Sequence, residues 1–592
     1  MKRYIIMIFL VFVGNAIFAQ DKPKTEKKKD TIIKTEVIEV ITSYAPKVTD
    51  AFKLKRKPVI TLSKKVQRKP LDYKIQSVPV ASTFKPKSGV LRGIDLGDRE
   101  RLFNNYLSLG FGNNTTPFIE GYFHNNSAFE SEYGGKIKFI SSTDPVANTP
   151  LNSSYYNASI DLFLKQEMRF FDWKAGFNAY RNKYNWFGLP ANINFTEPTI
   201  NRIEPGQTYK LYNVFGSVYL QDQDLKEVNG SIVYFSDVLE SSELHADVDA
   251  KFSFPLGRFG LNSEDLQLGT SINFLSGSFA RTYTDPLLET SYSFITGGVH
   301  PSYKFFYKNF DVKVGAKAYY SFNTESSEGS FFVYPDVEVN YPIIKRYANI
   351  YAGATGDLEV NSFKGFTEQN PYVSPTLTLT QSSEAFNAYS GLRGILAGNL
   401  NYNVRASFKK EENKALFIAN ESNSNGITTA FTGGVLFKGY DYGNSFNVVY
   451  DNVNTVSFAG EINYDYSKRL NLGLNLEFNT YSLDTQAEAW NLPKLKTDIF
   501  AKYKVAKWYA GANLYFVGAR KGITYISGVP TTVDLDGYID LNLDGGYHFN
   551  DLFSVFLRAN NITNSNYQRF TNFNAQGFQV LAGIVWKFDT LF

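Results

Sequence analysis

The 592-residue sequence predicts an all-β chain built as one large transmembrane antiparallel β-barrel. About 22–24 strands are expected, with short periplasmic turns and longer extracellular loops. Three observations carry that expectation. Apolar and polar residues alternate with a period of two from Phe103 onward. The connectors between alternating runs are short, then long, then short again. The chain also holds 51 Phe, 40 Tyr and 5 Trp at a mean hydropathy of −0.26, which suits a surface half in lipid and half in water.

The same composition excludes several classes. With no cysteine, disulfides, thiolate metal sites, cysteine nucleophiles and a lipidated N-terminal cysteine are all ruled out. His124, His245, His300 and His548 are the four histidines, too few and too scattered for a histidine metal centre, and no cofactor is expected. A formal charge of +4 is too mild to imply nucleic acid. A bundle of membrane helices would need repeated apolar runs of about 20 residues, and these are missing.

At the N-terminus, Lys2 and Arg3 precede the apolar run Ile5–Val13 and the small-residue zone Ala16–Ala19. Residues 1–20 therefore read as a secretory signal peptide; the alternative, an uncleaved anchor, needs a longer apolar run. Residues 21–102 form a leader. Its first part, 21–68, holds 14 Lys/Arg against six Asp/Glu, a basic, proline-containing stretch ahead of a mildly acidic body. A solvated linker is its plainest reading.

Residues 103–592 form the barrel. Leu470, Leu472, Leu474, Leu476 and Phe478 alternate with Asn471, Gly473, Asn475 and Glu477. Ile539, Leu541 and Leu543 alternate with Asp540, Asn542 and Asp544, and Val312, Val314 and Ala316 with Asp311, Lys313, Gly315 and Lys317. Between 386 and 481 the runs fall at 386–396, 399–409, 427–437, 443–451, 455–466 and 470–481. Tight connectors include 306–308, 342–346, 467–469 and 549–551; long ones include 183–207, 360–385, 410–426, 519–537 and 563–575. Soluble sandwiches and propellers also alternate. Strands near 10–12 residues and aromatics at strand ends (Trp508, Tyr509, Trp586, Phe588, Tyr464, Tyr466) favour the membrane form.

In a barrel the polar positions line the lumen. The charges so assigned are Asp247, Asp249, Lys251, Lys313, Lys317, Glu461, Asp465, Glu477, Asp540, Asp544, Arg558 and Lys587. Their signs are mixed, so no ion selectivity follows. A lumen this wide would leak, and loops 183–207 or 360–385, the 21–102 segment or a partner are candidates to fill it. His245 beside Asp247 is the nearest approach to a catalytic pair; its lumen position is wrong for acting on lipid, and no enzyme activity is expected. Asp534-Leu-Asp536 lacks the spacing of a calcium loop.

The last hairpin reads Leu557-Arg-Ala-Asn-Asn-Ile-Thr-Asn-Ser-Asn-Tyr567, followed by Gly577 to Phe588. It resembles the C-terminal end of TonB-dependent outer-membrane receptors. The resemblance implies that Trp586, Phe588 or Phe592 serves as the terminal signal read by the barrel assembly machinery. At the other end Val37, Ile38, Glu39 and Val40 resemble the start of that family's plug, and Asp30, Thr31, Ile32 and Ile33 resemble a TonB box. Such a box works by adding a strand to a partner's sheet. The departure is the 82 residues between Asp21 and Leu102, too few for the family's plug, so a plugless relative is expected.

The resemblance implies a transport conduit across the outer membrane, occluded by loops or a partner. The alternative is a non-transporting accessory barrel in an outer-membrane assembly or secretion complex. Expected partners are the outer-membrane bilayer, the assembly machinery and either a TonB-type energiser or a larger complex.

Overall fold

The computed structural model describes residues 102–589, apart from 127–130, 222 and 257–264. Residues Asp30–Ile33, Val37–Val40 and Phe592, with the signal peptide and most of the leader, lie outside the described residues. Consecutive strands pair antiparallel, and 22 of them make one sheet. That sheet closes. Its first strand, Asn105–Gly112, pairs both with Thr116–Asn126 and with the last, Gln579–Phe588. Closure leaves no edge whose N–H and C=O groups would be stranded in lipid.

Cross-strand partners share a face, so one contact orients the whole wall. Glu243 accepts hydrogen bonds from the N–H groups of Phe363 and Lys364, which belong to a loop folded against it, and so faces inward. Following partners around the barrel from Glu243, the opposite face carries Ile137, Leu162, Val214, Ile272, Val404 and Ile584, all exposed. A continuous apolar belt of this kind is covered by a bilayer rather than by water. The chain is a transmembrane β-barrel of the outer-membrane type.

The two rims differ. On one, the connections 168–170, 308–309, 345–347, 397–399, 466–469, 505–507 and 549–552 are tight. Exposed Phe306, Tyr307, Tyr466, Trp508, Phe549 and Phe553 stand beside these turns as an interfacial girdle. On the other rim lie the long connections 186–205, 360–381, 420–445, 518–537 and 561–578. Two of these carry small hairpins of their own, Arg520–Ile526 with Val529–Leu535 and Gln568–Phe570 with Phe573–Asn574.

Two of the expected strand runs between 399 and 466 fail, which puts the count at 22, within the expected 22–24. Residues 427–437 are loop, with one bridge between Ala430 and Leu436. The runs 443–451 and 455–466 are a single strand, Phe446–Asp465, beside the equally long Leu400–Ala419. A bulge between Glu411 and Lys414 shifts the register there. It moves the inward phase of Phe446–Asp465 from even positions (Phe446, Val448) to odd ones (Thr455 to Asp465). That broken alternation reads as two strands in sequence, and the connector expected at 410–426 begins only at 420.

Candidate functional site

Along the inner wall the side chains change character. In Leu225–Ser236 the inward residues run Glu227, Asn229, Ser231, then Val233 and Phe235. In Leu266–Phe279 they run Gln267, Ser271, Asn273, then Leu275 and Phe279. Phe235 and Leu275 are 0% exposed. The half toward the tight turns is thus polar, and the half toward the long loops is apolar and packed.

The packing partners are the long loops. Residues 186–205, 360–381, 420–445 and 561–578 turn inward and share one core with the wall. A short helix, Phe363–Gln369, begins at Ser362, whose hydroxyl accepts from the Gly365 N–H. Its Phe363 ring meets Phe235 at 5.4 Å and Phe279 at 5.1 Å, edge to face. Trp186 packs on Tyr440 at 5.2 Å, and Phe573 on Phe187 at 5.0 Å and Tyr372 at 3.8 Å. A Cβ on Gly439 would sit 1.9 Å from the Glu204 carbonyl oxygen, so only glycine lets 420–445 lie this close on 186–205.

Polar groups hold these loops in place. The Trp186 ring N–H donates to the Tyr372 carbonyl (3.1 Å) and Tyr209 Oη to that of Pro371 (3.0 Å). Glu243, 2% exposed, accepts from Tyr292 Oη at 2.6 Å as well as from the helix N-terminus. Arg281 forms a buried ion pair with Asp441, donates to Tyr440 Oη at 2.7 Å and lies over the Tyr440 and Phe431 rings. Asp237, buried in the turn 237–241, accepts from Gln207 and from the N–H groups of Leu239 and Ser241. Burial pushes its carboxyl above the ordinary aspartate value, and pushes the loop phenols of Tyr372 and Tyr567 up likewise.

Register places the charges singled out in the sequence on the inward face. Lys313 pairs with Asp336 (2.6 Å), Lys317 with Asp357 (2.7 Å) and Lys251 with Glu227 (2.8 Å). Asp247 accepts from Ser231 Oγ at 2.7 Å, with Asp249 two positions on. Glu461, Asp465 and Glu477 accept from the side-chain amides of Asn463, Asn471 and Asn479. Asp544 stands opposite Arg558, whose guanidinium lies over Phe118 and Phe556, and Lys587 stands opposite Tyr106. Asp540 accepts from Tyr567 Oη at 2.7 Å. These pairs are spread around the wall rather than gathered at one point. Trp586 and Phe588 stack at 4.5 Å on the outward face, where Phe588 meets Phe123.

His245 contacts Asn273, and His300 lies 4.9 Å from the Tyr319 ring. Neither forms a relay with Asp247, whose partner is Ser231. Asp534 sits on the outer hairpin, paired with Lys521 at 2.5 Å. Among the described residues no group of three or more His, Asp or Glu is placed to hold a metal.

Between the inward loops and the wall lies a cavity of about 930 Å³. Tyr155, Tyr180, Tyr184, Tyr209, Tyr372, Tyr515, Tyr538 and Tyr567 line it, with Asn157, Asn182, Asn561, Gln576, Gln579 and other side-chain amides between them. The hairpin motif of the sequence builds one side. Asn561 is 4% exposed, donates to the Ser565 and Gln576 carbonyls and accepts from the Ser565 N–H. This staple presents Tyr567, which stacks on Tyr538 at 3.7 Å.

No family model and no curated protein matches the sequence. Solved structures do match. The ferripyoverdine receptor of the Pseudomonas aeruginosa outer membrane is similar at a TM-score of 0.59 and 13% identity, over 82% of this chain and 72% of that one. The FrpB iron transporter of Neisseria meningitidis gives 0.60 and 10%, over 82% of each chain. The ferric-catecholate import receptor Fiu of Escherichia coli K12 gives 0.58 and 9%, over 83% of this chain and 82% of that one. The chain has the barrel fold of TonB-dependent receptors. These neighbours are transport receptors rather than enzymes, and at such identities the likeness is one of fold.

Sequence reasoning missed Glu243, Arg281 and Asp441. Each looks like one more polar residue at a strand end or in a loop. Their importance comes from partners 120 and 160 positions away.

Proposed function

We propose that this chain is a transport conduit of the outer membrane whose long-loop end is closed by its own loops. The observation that carries this is the aromatic core in which 186–205, 360–381, 420–445 and 561–578 pack on inward wall residues. A channel lined for water would keep polar residues along its whole length. Here they give way to Phe235, Leu275, Phe279 and Phe446 at one end, each nearly inaccessible. Solute then enters only when the loops move, which fits the fold shared with import receptors. In this reading the paired lumen charges keep the tight-turn half wet, and Asp30–Ile33 offers an extended strand to a periplasmic energiser. The 21–102 segment is proposed to act without forming a full plug.

Planar-bilayer conductance tests the closure. Purified wild-type protein is expected to stay shut, and a variant with 360–381 replaced by a short turn is expected to open in steps. Stepwise openings from wild type would overturn the closure. A loop-replaced barrel that stays shut, with partners co-purifying, would favour the accessory role instead.

A further inference from the structure

Charges are rare on the lipid face of this wall, and one group of them has a single sign. Register sets Arg181 directly opposite Lys210, with Lys183 two residues further along its strand. Their strand neighbours Tyr180, Tyr209 and Leu211 pack on the inner core, so the three cations face out. Arg181 is exposed, and Lys183 and Lys210 are half-buried. Toward the tight turns the same face is apolar, with Phe177 and Ala179 on one strand and exposed Tyr212 and Val214 on the other. The cluster therefore stands at the edge of the lipid belt on the long-loop side, which faces out of the cell in barrels of this type.

Like charges directly opposite one another weaken a sheet. Elsewhere in this wall such pairs are compensated. Lys165 opposes Lys174 and holds Glu167 at 2.7 Å. Lys304 opposes Lys313, which holds Asp336 at 2.6 Å. Asp357 opposes Glu384 and holds Lys317 at 2.7 Å. Among the described residues no carboxylate lies within ion-pair distance of Arg181, Lys183 or Lys210, and the Arg181 guanidinium rests over the Tyr156 ring at 5.9 Å. Two uncompensated cations held face to face at the edge of a bilayer call for an anion from outside the chain. A guanidinium fork beside two ammonium groups suits a phosphate, and the apolar strip directly below suits acyl chains.

We propose that Arg181, Lys183 and Lys210 bind the phosphate of an outer-leaflet lipid, whose acyl chains lie along Phe177, Tyr212 and Val214. The site is on the outside of the wall and does not depend on whether the barrel conducts.

The test is native mass spectrometry of the purified full-length protein in an uncharged oxyethylene-ether detergent, which counts the lipids each barrel retains. The probes are lipid A, its dephosphorylated form and inorganic phosphate. Wild type is expected to retain lipid A at least about tenfold better than the dephosphorylated form. Arg181→Gln/Lys210→Gln is expected to lose that preference, whereas Lys313→Gln/Lys317→Gln, which removes two lumen cations, keeps it. Heat-modifiable gel migration reports whether each variant barrel is closed. A second readout is the thermal midpoint of Lys210→Gln. It should exceed that of wild type in lipid-free detergent, where the like-charge pair is relieved, and fall below it once lipid A is added. The proposal is overturned if the closed double variant retains lipid A as wild type does, or if the dephosphorylated lipid is retained equally. Displacement of the lipid by millimolar inorganic phosphate would also overturn it and assign a free-anion site instead. A lowered midpoint for Lys210→Gln without lipid would contradict it as well.

Discussion

The two ends of this barrel obey opposite rules, although the same strands run through both. Near the tight turns, apolar residues face out, charges face in, and exposed rings such as Trp508 and Phe553 mark the interface. Near the long loops the interior is packed like a soluble domain, with Trp186, Phe235, Phe279, Phe363 and Phe446 almost inaccessible. A strand therefore does not have one inner face but two in succession. The polar stretch is consistent with water, and the apolar stretch demands a protein partner, which the loops provide.

This contrast can be broken from its packed end. Arg281→Ala leaves Asp441 buried without its cation, and loss of one partner of a buried pair costs about 3–5 kcal/mol. Hydrogen exchange should then rise throughout 420–445 and leave the tight-turn halves of the strands unchanged. A uniform rise over all strands would contradict a separately packed end. Glu243→Gln should cost less, about 1–3 kcal/mol, because an amide NH₂ then faces a donor among Tyr292 and the helix N–H groups. Faster exchange confined to 360–381 is the expected signature.

The wet end should forgive more. Lys313→Met and Lys317→Met break partly exposed pairs, so thermal stability should move by no more than about 1 kcal/mol each. A larger loss would mean that this half is drier than its side chains suggest. The smallest effect concerns pH. Burial raises the Asp237 carboxyl, so the folded turn holds its proton more tightly than the unfolded chain does. Its contribution is full below the ordinary aspartate value and is lost as pH rises through the raised one. Protection from exchange in 237–241, taken relative to the intrinsic amide rate at each pH, should be greater at about pH 4 than at about pH 7, a difference that Asp237→Asn should remove.

Much of the wet end was legible in sequence because alternation reports which face a residue occupies. Lys313, Asp544 and Arg558 could be assigned to a face from their neighbours alone. Alternation carries that information only while the register is regular, and the Glu411–Lys414 bulge is where it broke. The packed end was less legible. Nothing near Glu243 announces a helix 120 residues on that needs its carboxylate, and 427–437 looks like a strand because Ile427, Phe431, Val435 and Phe437 fall at alternate positions, although Ile427 and Val435 are exposed and only Phe437 packs on the core. The hairpin motif was visible from 557 to 588, yet Asn561 as a staple and Tyr567 as a cavity wall emerge only from their partners.

The most direct test uses the absence of native cysteine. A single Ser457→Cys places a thiol on the inward face of the polar half, and Ser527→Cys places one at the tip of the outer hairpin. Intact cells are treated with a maleimide on a polyethylene-glycol chain too bulky to enter through general porins. Prompt labelling is expected at 527, none at 457, and labelling at 457 once 360–381 is replaced by a short turn. Labelling of Ser457→Cys at the rate of the 527 control, with all loops intact, would contradict it.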